Sequence, residues 1–222
     1  MAHSLRQVAA ANRETARAEK LSNWSVYLLY RHPGTVLAWL LLKTRLSPTN
    51  VSVIGLGVAG LMPLVAGLLP IGAAGIVLFW LAVLFQILDC SDGAMARAGG
   101  TGSAAGARYD FLIDMFQWGV LYASMGLLAD RMADGGAFWT MLGFAAGWLR
   151  LFARVCNDAA PEKTTAPEGA SLRLGSLMWF LNGLSGLIPL LLLSGPYMYV
   201  AVIAVLVYSI GDVLDALSRV VE

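Results

Sequence analysis

Four aspartates lie close together in an otherwise apolar part of the chain. Asp89 and Asp92 are three residues apart, so they share one face of a helix. Asp110 and Asp114 are four residues apart and share a face in the same way. The short sequence between the pairs predicts an antiparallel helical hairpin, which would bring the carboxylates to one depth near one side of the bundle. Charged side chains inside a lipid bilayer are costly, and by default they mark a functional site.

A cluster of carboxylates needs compensating positive charge, because like charges in a dry site oppose one another's ionisation. A bound divalent cation removes that conflict. Oxygen ligands favour Mg²⁺ or Mn²⁺ over zinc, and Mg²⁺ usually accompanies a phosphate-bearing substrate. The small residues Gly93, Ala94 and Ala96 leave room beside the first pair for a bulky ligand. Arg97 offers a planar donor that suits phosphate.

The composition places these residues in a membrane protein. Hydrophobic residues make up 58% of the 222-residue chain and charged residues only 13%, whereas about a quarter is usual in a soluble domain. The mean hydropathy is +0.70. These values exclude an ordinary soluble domain and predict an all-α integral membrane protein in contact with the lipid bilayer. The formal net charge of +1 gives no indication of a nucleic-acid partner.

Apolar runs of about 20 residues, enough to cross a bilayer, predict six transmembrane helices. The predicted spans are 51–69, 72–97, 104–129, 135–157, 172–193 and 196–217. Residues 1–50 are predicted to form a cytoplasmic and interfacial segment with an amphipathic helix along the membrane surface, ahead of the six-helix domain at 51–222. The polar start of the chain lacks the apolar core of a cleavable signal peptide.

Positive charge predicts the orientation of these spans. Of the 15 Lys and Arg residues, only Arg131 lies beside a break on the far side of the membrane. Positively charged residues favour cytoplasmic loops. Both termini and the aspartate hairpin are therefore predicted to face the cytoplasm, with the cell inner membrane as the predicted location.

The aspartates belong to a longer pattern. It reads Asp89-x-x-Asp92-Gly93-x-x-Ala96-Arg97, then eight residues, Gly106, three residues, Asp110, three residues and Asp114. This pattern resembles the signature of the CDP-alcohol phosphotransferase family at all eight specified positions. The layout is also similar, because the family has an interfacial helix and then six spans, with the motif bridging the second and third.

The resemblance implies a reaction in phospholipid biosynthesis. A CDP-linked donor, often CDP-diacylglycerol, transfers its substituted phosphate to the hydroxyl of a small alcohol or polyol phosphate and releases CMP. The resemblance also implies two bound Mg²⁺ or Mn²⁺ ions and the following roles. The metal ligands would be Asp89, Asp92 and Asp110, with Asp114 as the general base near or on the second metal; the CDP-binding residues would be Asp89, Asp92, Gly93, Ala96, Arg97 and Gly106.

One segment departs from the family pattern. Many members carry Pro-Asn-x-x-Thr at the start of the first span, whereas this chain reads Pro48-Thr49-Asn50-Val51-Ser52. The departure leaves the family resemblance intact but gives no guide to the subfamily.

The acceptor site has two interpretations. Arg150 and Arg154 lie four residues apart at the cytoplasmic end of the fourth span, and Arg173 opens the fifth. They could be anchors that extend to the lipid headgroups. Alternatively, they could form a basic pocket for an acceptor that itself carries phosphate. Asp212 and Asp215, at the end of the last span, are expected to be solvated or paired with Arg219.

Two other classes of protein compete with a transferase. An intramembrane aspartyl protease would use Asp110 and Asp212, but its pattern needs glycine where this chain has Ser209, and it leaves the other aspartates unexplained. A transporter coupled to ions or protons predicts charges scattered at mid-membrane rather than a cluster near one side.

The glycines of the first span bear on the oligomeric state. Gly55, Gly57, Gly60 and Gly67 would permit a homodimer contact or close packing within one chain.

Overall fold

The computed structural model describes residues 4–159 and 183–221. Within those ranges the chain is helical and contains no strand. The predicted span 172–193 lies only partly within the described residues, and Arg173 lies outside them.

The N-terminal segment is a series of short helices, of which the last lies in the apolar stretch just ahead of the first predicted span. They are α1 (Leu5–Ala11), α2 (Arg13–Ser22), α3 (Trp24–Val26), a π-helical turn (Tyr27–Arg31) and α4 (His32–Leu41). A capping box starts α1: the backbone N–H of Ser4 donates to Gln7 Oε1 at 2.8 Å, and the backbone N–H of Gln7 donates to Ser4 Oγ at 3.3 Å.

Longer helices follow. They are α5 (Pro48–Leu68), α6 (Ile71–Gly99), α7 (Ala104–Ala133), α8 (Phe138–Ala159), a 3₁₀ segment (Gly183–Leu193), a short 3₁₀ turn (Gly195–Tyr197) and α9 (Met198–Val221). In the described part of the chain, four helices are long and apolar enough to cross a membrane: Pro48–Leu68, Ile71–Gly99, Ala104–Ala133 and Gly195–Ser218. The prediction of an all-α membrane protein is confirmed. The number of six spans stays a prediction.

The aspartate hairpin is formed by α6 and α7, and local sequence sets its turn. Gly100 ends α6 in the left-handed conformation with φ of 64°, which glycine adopts without strain. The N–H of Thr101 then donates to the carbonyl of Ala96 at 3.0 Å. Ser103 begins α7 by accepting the N–H of Gly106 at 3.0 Å on its side-chain oxygen. The connection is therefore tight, and α7 returns antiparallel to α6.

Two charged residues of α7 stabilise the opposite end of the bundle. Asp130 is 5% exposed and accepts the N–H groups of Trp139 at 3.0 Å and Thr140 at 2.8 Å, so it caps the start of α8. Arg131 donates to the carbonyls of Ala66 and Leu69, where α5 ends. Arg131, the cation predicted on the far side of the membrane, thus caps the C-terminal end of α5.

Helices α7 and α8 approach one another very closely. A Cβ at Gly126 would lie 2.3 Å from the carbonyl oxygen of Trp139, and a Cβ at Gly143 would lie 2.3 Å from that of Tyr122. Only glycine permits this backbone contact. The close packing holds α8, which carries Arg150 and Arg154, against the helix that carries Asp110 and Asp114.

Candidate functional site

Three of the four aspartates come together between α6 and α7. One carboxylate oxygen of each of Asp89, Asp92 and Asp110 lies within 4.8 Å of the other two. Asp92 is 5% exposed, and Asp89 is partly buried. A set of carboxylate oxygens at this spacing suits a hard divalent cation. The two pairs converge because α6 and α7 run antiparallel, so residues the same number of turns from the Gly100 turn lie at the same depth.

Asp114 joins the cluster to an adjacent cavity. Its carboxyl group neighbours that of Asp89. Its Oδ2 atom also lies 4.0 Å from Nη2 of Arg154 on α8. Asp114 lines a cavity of about 250 Å³ that is open to the outside of the bundle. It is therefore placed to contact both the carboxylate cluster and a ligand in that cavity.

Ser52 of α5 holds Asp92 in place. Its hydroxyl donates to Asp92 Oδ2 at 2.5 Å, and the N–H of Gly93 donates to Asp92 Oδ1 at 2.5 Å. Both oxygens of this carboxylate are thereby oriented. The sequence alone predicts no role for Ser52 in the site, although the segment that departs from the pattern the chain resembles ends on this residue.

Arg97 lies over Gly93. A Cβ at Gly93 would be 3.2 Å from both Nη1 and Nη2 of Arg97, so the absence of a side chain there makes room for the guanidinium. Ala96 is in the last turn of α6 and Gly106 is in the first turn of α7. The predicted CDP-binding residues therefore lie along the half of the hairpin nearer the Gly100 turn.

The cavity beside Asp114 has a mixed lining. Its walls include Trp118 from α7, Arg150 and Arg154 from α8, Asp212 from α9, and Asn23 from the N-terminal segment. Both described arginines of the predicted acceptor pocket therefore face the same cavity as the predicted base. The third, Arg173, lies outside the described residues.

Arg150 and Arg154 differ in their surroundings. Arg150 forms an ion pair with Asp212, and its guanidinium carbon lies 5.2 Å from the ring centroid of Trp118 and 5.0 Å from that of Tyr208. The expectation that Asp212 is solvated is wrong, because packing of α9 on α8 brings it to Arg150. The side chain of Arg219 is outside the described part of the structure. The side chain of Arg154 is 58% exposed and is available to a ligand.

The N-terminal helices pack against the half of α6 nearer the Gly100 turn. Arg31 is 6% exposed and pairs with Glu19, to which its Nε donates at 2.6 Å. The hydroxyl of Ser91 donates to the carbonyl of Gly34 at 3.1 Å. Tyr30 donates from its hydroxyl to the carbonyl of Gly186 at 2.8 Å, and burial raises the pKa of this tyrosine to about 12. The hydroxyl thus keeps its proton and continues to donate.

A second contact from this segment reaches the motif itself. The side chain of Asn12, which is 2% exposed, contacts both Ala94 and Arg97. The sequence predicts a cytoplasmic and interfacial segment over residues 1–50 and no role for any of them in the site. Nothing in the local pattern around Asn12 signals these contacts, because Ala94 and Arg97 lie 82 and 85 positions further along the chain.

Comparison with protein-family models gives no match, and comparison with curated proteins gives none either.

Proposed function

We propose that the chain is a metal-dependent CDP-alcohol phosphotransferase. It would transfer a substituted phosphate from a CDP-linked donor, CDP-diacylglycerol in the first instance, to the hydroxyl of a small alcohol or polyol phosphate. One observation carries this proposal: Asp89, Asp92 and Asp110 converge to within 4.8 Å beside a cavity lined by Asp114. The protease and transporter interpretations do not account for such a cluster.

The donor set of the cluster fits Mg²⁺ or Mn²⁺, which Asp89, Asp92 and Asp110 would hold, with Asp114 near or on a second ion. When bound, the metal neutralises negative charge that develops on the donor's diphosphate. Ser52 and the N–H of Gly93 fix the carboxylate of Asp92. Arg97 lies beside them as a donor to the phosphate oxygens.

Asp114 is the proposed general base. Its carboxylate would take the proton of the acceptor hydroxyl as the acceptor oxygen bonds to the phosphorus that carries the donor's alcohol group. The bond from that phosphorus to the oxygen of CMP breaks, and CMP leaves with the electron pair. Asp114 suits this role because it faces the cavity from which an acceptor would arrive, while its neighbour Asp89 belongs to the cluster.

The cavity is the proposed acceptor site. Arg154 is the exposed cation at its wall and lies 4.0 Å from Asp114, so an acceptor phosphate on Arg154 would leave a hydroxyl of the same molecule near the base. Arg150, paired with Asp212, would shape the wall of the cavity. A polyol phosphate suits this cavity, because its anionic group can bind Arg154 and its free hydroxyl can reach Asp114.

The membrane arrangement is proposed in the same way. The chain would cross the cell inner membrane six times, with both termini and the aspartate site in the cytoplasm. Gly57 and Gly60 meet no other atom within 4 Å of a hypothetical Cβ, which is compatible with a homodimer contact at this face of α5.

The test is release of CMP by the purified protein in lipid. CDP-diacylglycerol is supplied with a panel of polyols and polyol phosphates. We expect CMP release that depends on one acceptor, stops with EDTA and returns with Mg²⁺ or Mn²⁺. If no CDP-alcohol yields CMP with any acceptor, the transferase proposal is wrong.

Asp114→Asn tests the proposed general base while the other three aspartates stay unchanged. The amide cannot take the acceptor's proton, so we expect CMP release to fall by about 10²–10⁴-fold. The dissociation constant for CDP should change little, because the cluster of Asp89, Asp92 and Asp110 is intact. Asp134→Asn, at an exposed residue that ends α7 away from the motif, is the matched change of charge and should keep full activity. Full activity in Asp114→Asn would remove Asp114 from this role.

A further inference from the structure

Asn12 connects the N-terminal helices to Arg97. It lies at the junction of α1 and α2. Its Nδ2 donates to the carbonyl of Val8 at 2.8 Å and to that of Ala94 at 3.4 Å. Its Oδ1 accepts from Nε of Arg97 at 2.5 Å. One buried amide thus contacts α1, the backbone of α6 and the arginine of the motif.

The way in which Arg97 is held differs from that of two other arginines near the site. Arg31 is paired with the carboxylate of Glu19, and Arg150 is paired with that of Asp212. A carboxylate partner fixes a guanidinium but also compensates its charge. Asn12 is neutral, so it fixes the position of Arg97 and leaves the positive charge uncompensated by this contact.

The contact also determines which part of the guanidinium is engaged. Asn12 takes the Nε–H, while Nη1 and Nη2 both lie close to Gly93. A guanidinium binds phosphate best through two parallel N–H groups, and a free arginine loses side-chain entropy when it does so. An arginine that is already held through Nε loses less side-chain entropy when it binds phosphate.

We propose that Asn12 is a positioning residue for a phosphate-bearing ligand, which it serves by holding the Arg97 guanidinium beside Gly93. This inference rests on the proposed function, since the donor's diphosphate is the ligand that Arg97 would receive. It assigns a role in the site to helices that the sequence places on the membrane surface. Asn12 acts only through Arg97 and touches no reacting atom.

The first experiment measures binding of CDP to the full-length protein with Asn12→Ala and Asn12→Asp. Loss of a hydrogen bond to a charged group should weaken CDP about tenfold in Asn12→Ala. Asn12→Asp keeps the shape of the side chain and one oxygen but compensates the charge of Arg97, so we expect it to weaken CDP at least as much. The donor KM should rise in parallel, with kcat and the acceptor KM nearly unchanged.

Ser4→Ala is the matched control. It removes the hydroxyl of the α1 capping box and does not contact Arg97. It should lower the thermal stability of the N-terminal helices while the affinity for CDP stays within about twofold of the wild type. Equal losses of CDP affinity in Ser4→Ala and Asn12→Ala would show that only the stability of α1 matters, and would overturn the inference.

A double-mutant cycle of Asn12→Ala and Arg97→Ala measures the coupling between these two residues in CDP binding. If Asn12 acts through Arg97, Asn12→Ala should have no further effect on CDP affinity once Arg97 is replaced. An undiminished effect in that background would overturn the inference, as would wild-type CDP affinity in both single variants at Asn12.

Binding of inorganic pyrophosphate, compared with release of CMP, distinguishes failure of this inference from failure of the proposed function. Wild-type protein that releases CMP, together with an Asn12→Ala variant that keeps its donor KM, would refute the inference alone. Wild-type protein that binds pyrophosphate through Asn12 and Arg97 but never releases CMP would refute the proposed function and support the inference. No binding of either CDP or pyrophosphate by the wild type would refute the inference.

Discussion

At the scale of single residues, Ser52 gives the departure from the family pattern a physical meaning. The pattern that the chain resembles has threonine near the start of the first span, and the chain has serine at its fifth position of Pro48-Thr49-Asn50-Val51-Ser52. The structure directs this hydroxyl to Asp92 at 2.5 Å. Serine and threonine both supply a hydroxyl donor. The substitution therefore keeps the group that orients a carboxylate of the cluster.

Removal of that hydroxyl should weaken metal binding. In Ser52→Ala one oxygen of Asp92 loses its donor, and loss of such an outer contact typically lowers metal affinity by about 10–100-fold. We expect the Mg²⁺ concentration needed for half-maximal CMP release to rise accordingly, with full recovery in Ser52→Thr.

Ser124→Ala is the control for this measurement. Ser124 is also fully buried, but its hydroxyl donates only within its own helix, to the carbonyl of Val120 at 2.6 Å. Its removal should leave the Mg²⁺ dependence unchanged. The same dependence in Ser52→Ala as in the wild type would show that Asp92 does not need this contact.

At the scale of helices, the proposed acceptor cavity depends on how α8 meets α7 and α9. Arg154 reaches from α8 to Asp114 on α7, and Arg150 reaches from α8 to Asp212 on α9. The two arginines lie one turn apart, so they face the same cavity. Arg154 is exposed and Arg150 is paired with Asp212, so replacing each arginine by alanine should have a different effect.

Arg154→Ala should impair the acceptor, and Arg150→Ala should impair the fold. Loss of the exposed cation should raise KM for a polyol phosphate about tenfold or more, with little change for an uncharged polyol. Arg150→Ala leaves Asp212 partly buried without its cation and should lower the free energy of unfolding by up to about 3 kcal/mol. Steady-state kinetics and thermal unfolding in detergent measure these effects. An unchanged acceptor KM in Arg154→Ala would exclude the basic pocket.

Sequence predicted the parts of the site that depend on local spacing. The three- and four-residue intervals placed each aspartate pair on one face, and Gly100 and Ser103 set the turn that brings the pairs together. The contacts of Ser52 and Asn12 were not predicted, because they join residues 40 and 85 positions apart. Such pairs follow from the packing of whole helices, and no local pattern of charge or hydropathy carries that information.

At the scale of the whole molecule, polar groups are concentrated at two levels of the bundle. The carboxylate cluster, the cavity beside Asp114 and the N-terminal helices lie toward the Gly100 turn. Asp130 and Arg131 close the opposite end by capping α8 and α5. Arg131 therefore has a structural role as a cap in addition to its place in the charge distribution. The predicted orientation therefore rests on the other Lys and Arg residues of the sequence.

The orientation can be measured with two single cysteines in a background where Cys90 and Cys156 are replaced by serine. Thr101 and Ala137 are both exposed, in the turns at opposite ends of α7. The positive-inside rule predicts that Ala137→Cys reacts with a membrane-impermeant maleimide applied to intact spheroplasts. Thr101→Cys should react only after the membrane is permeabilised. The reverse pattern would place the carboxylate cluster on the outer side, away from cytoplasmic CDP-linked donors, and so would contradict both the orientation and the proposed reaction.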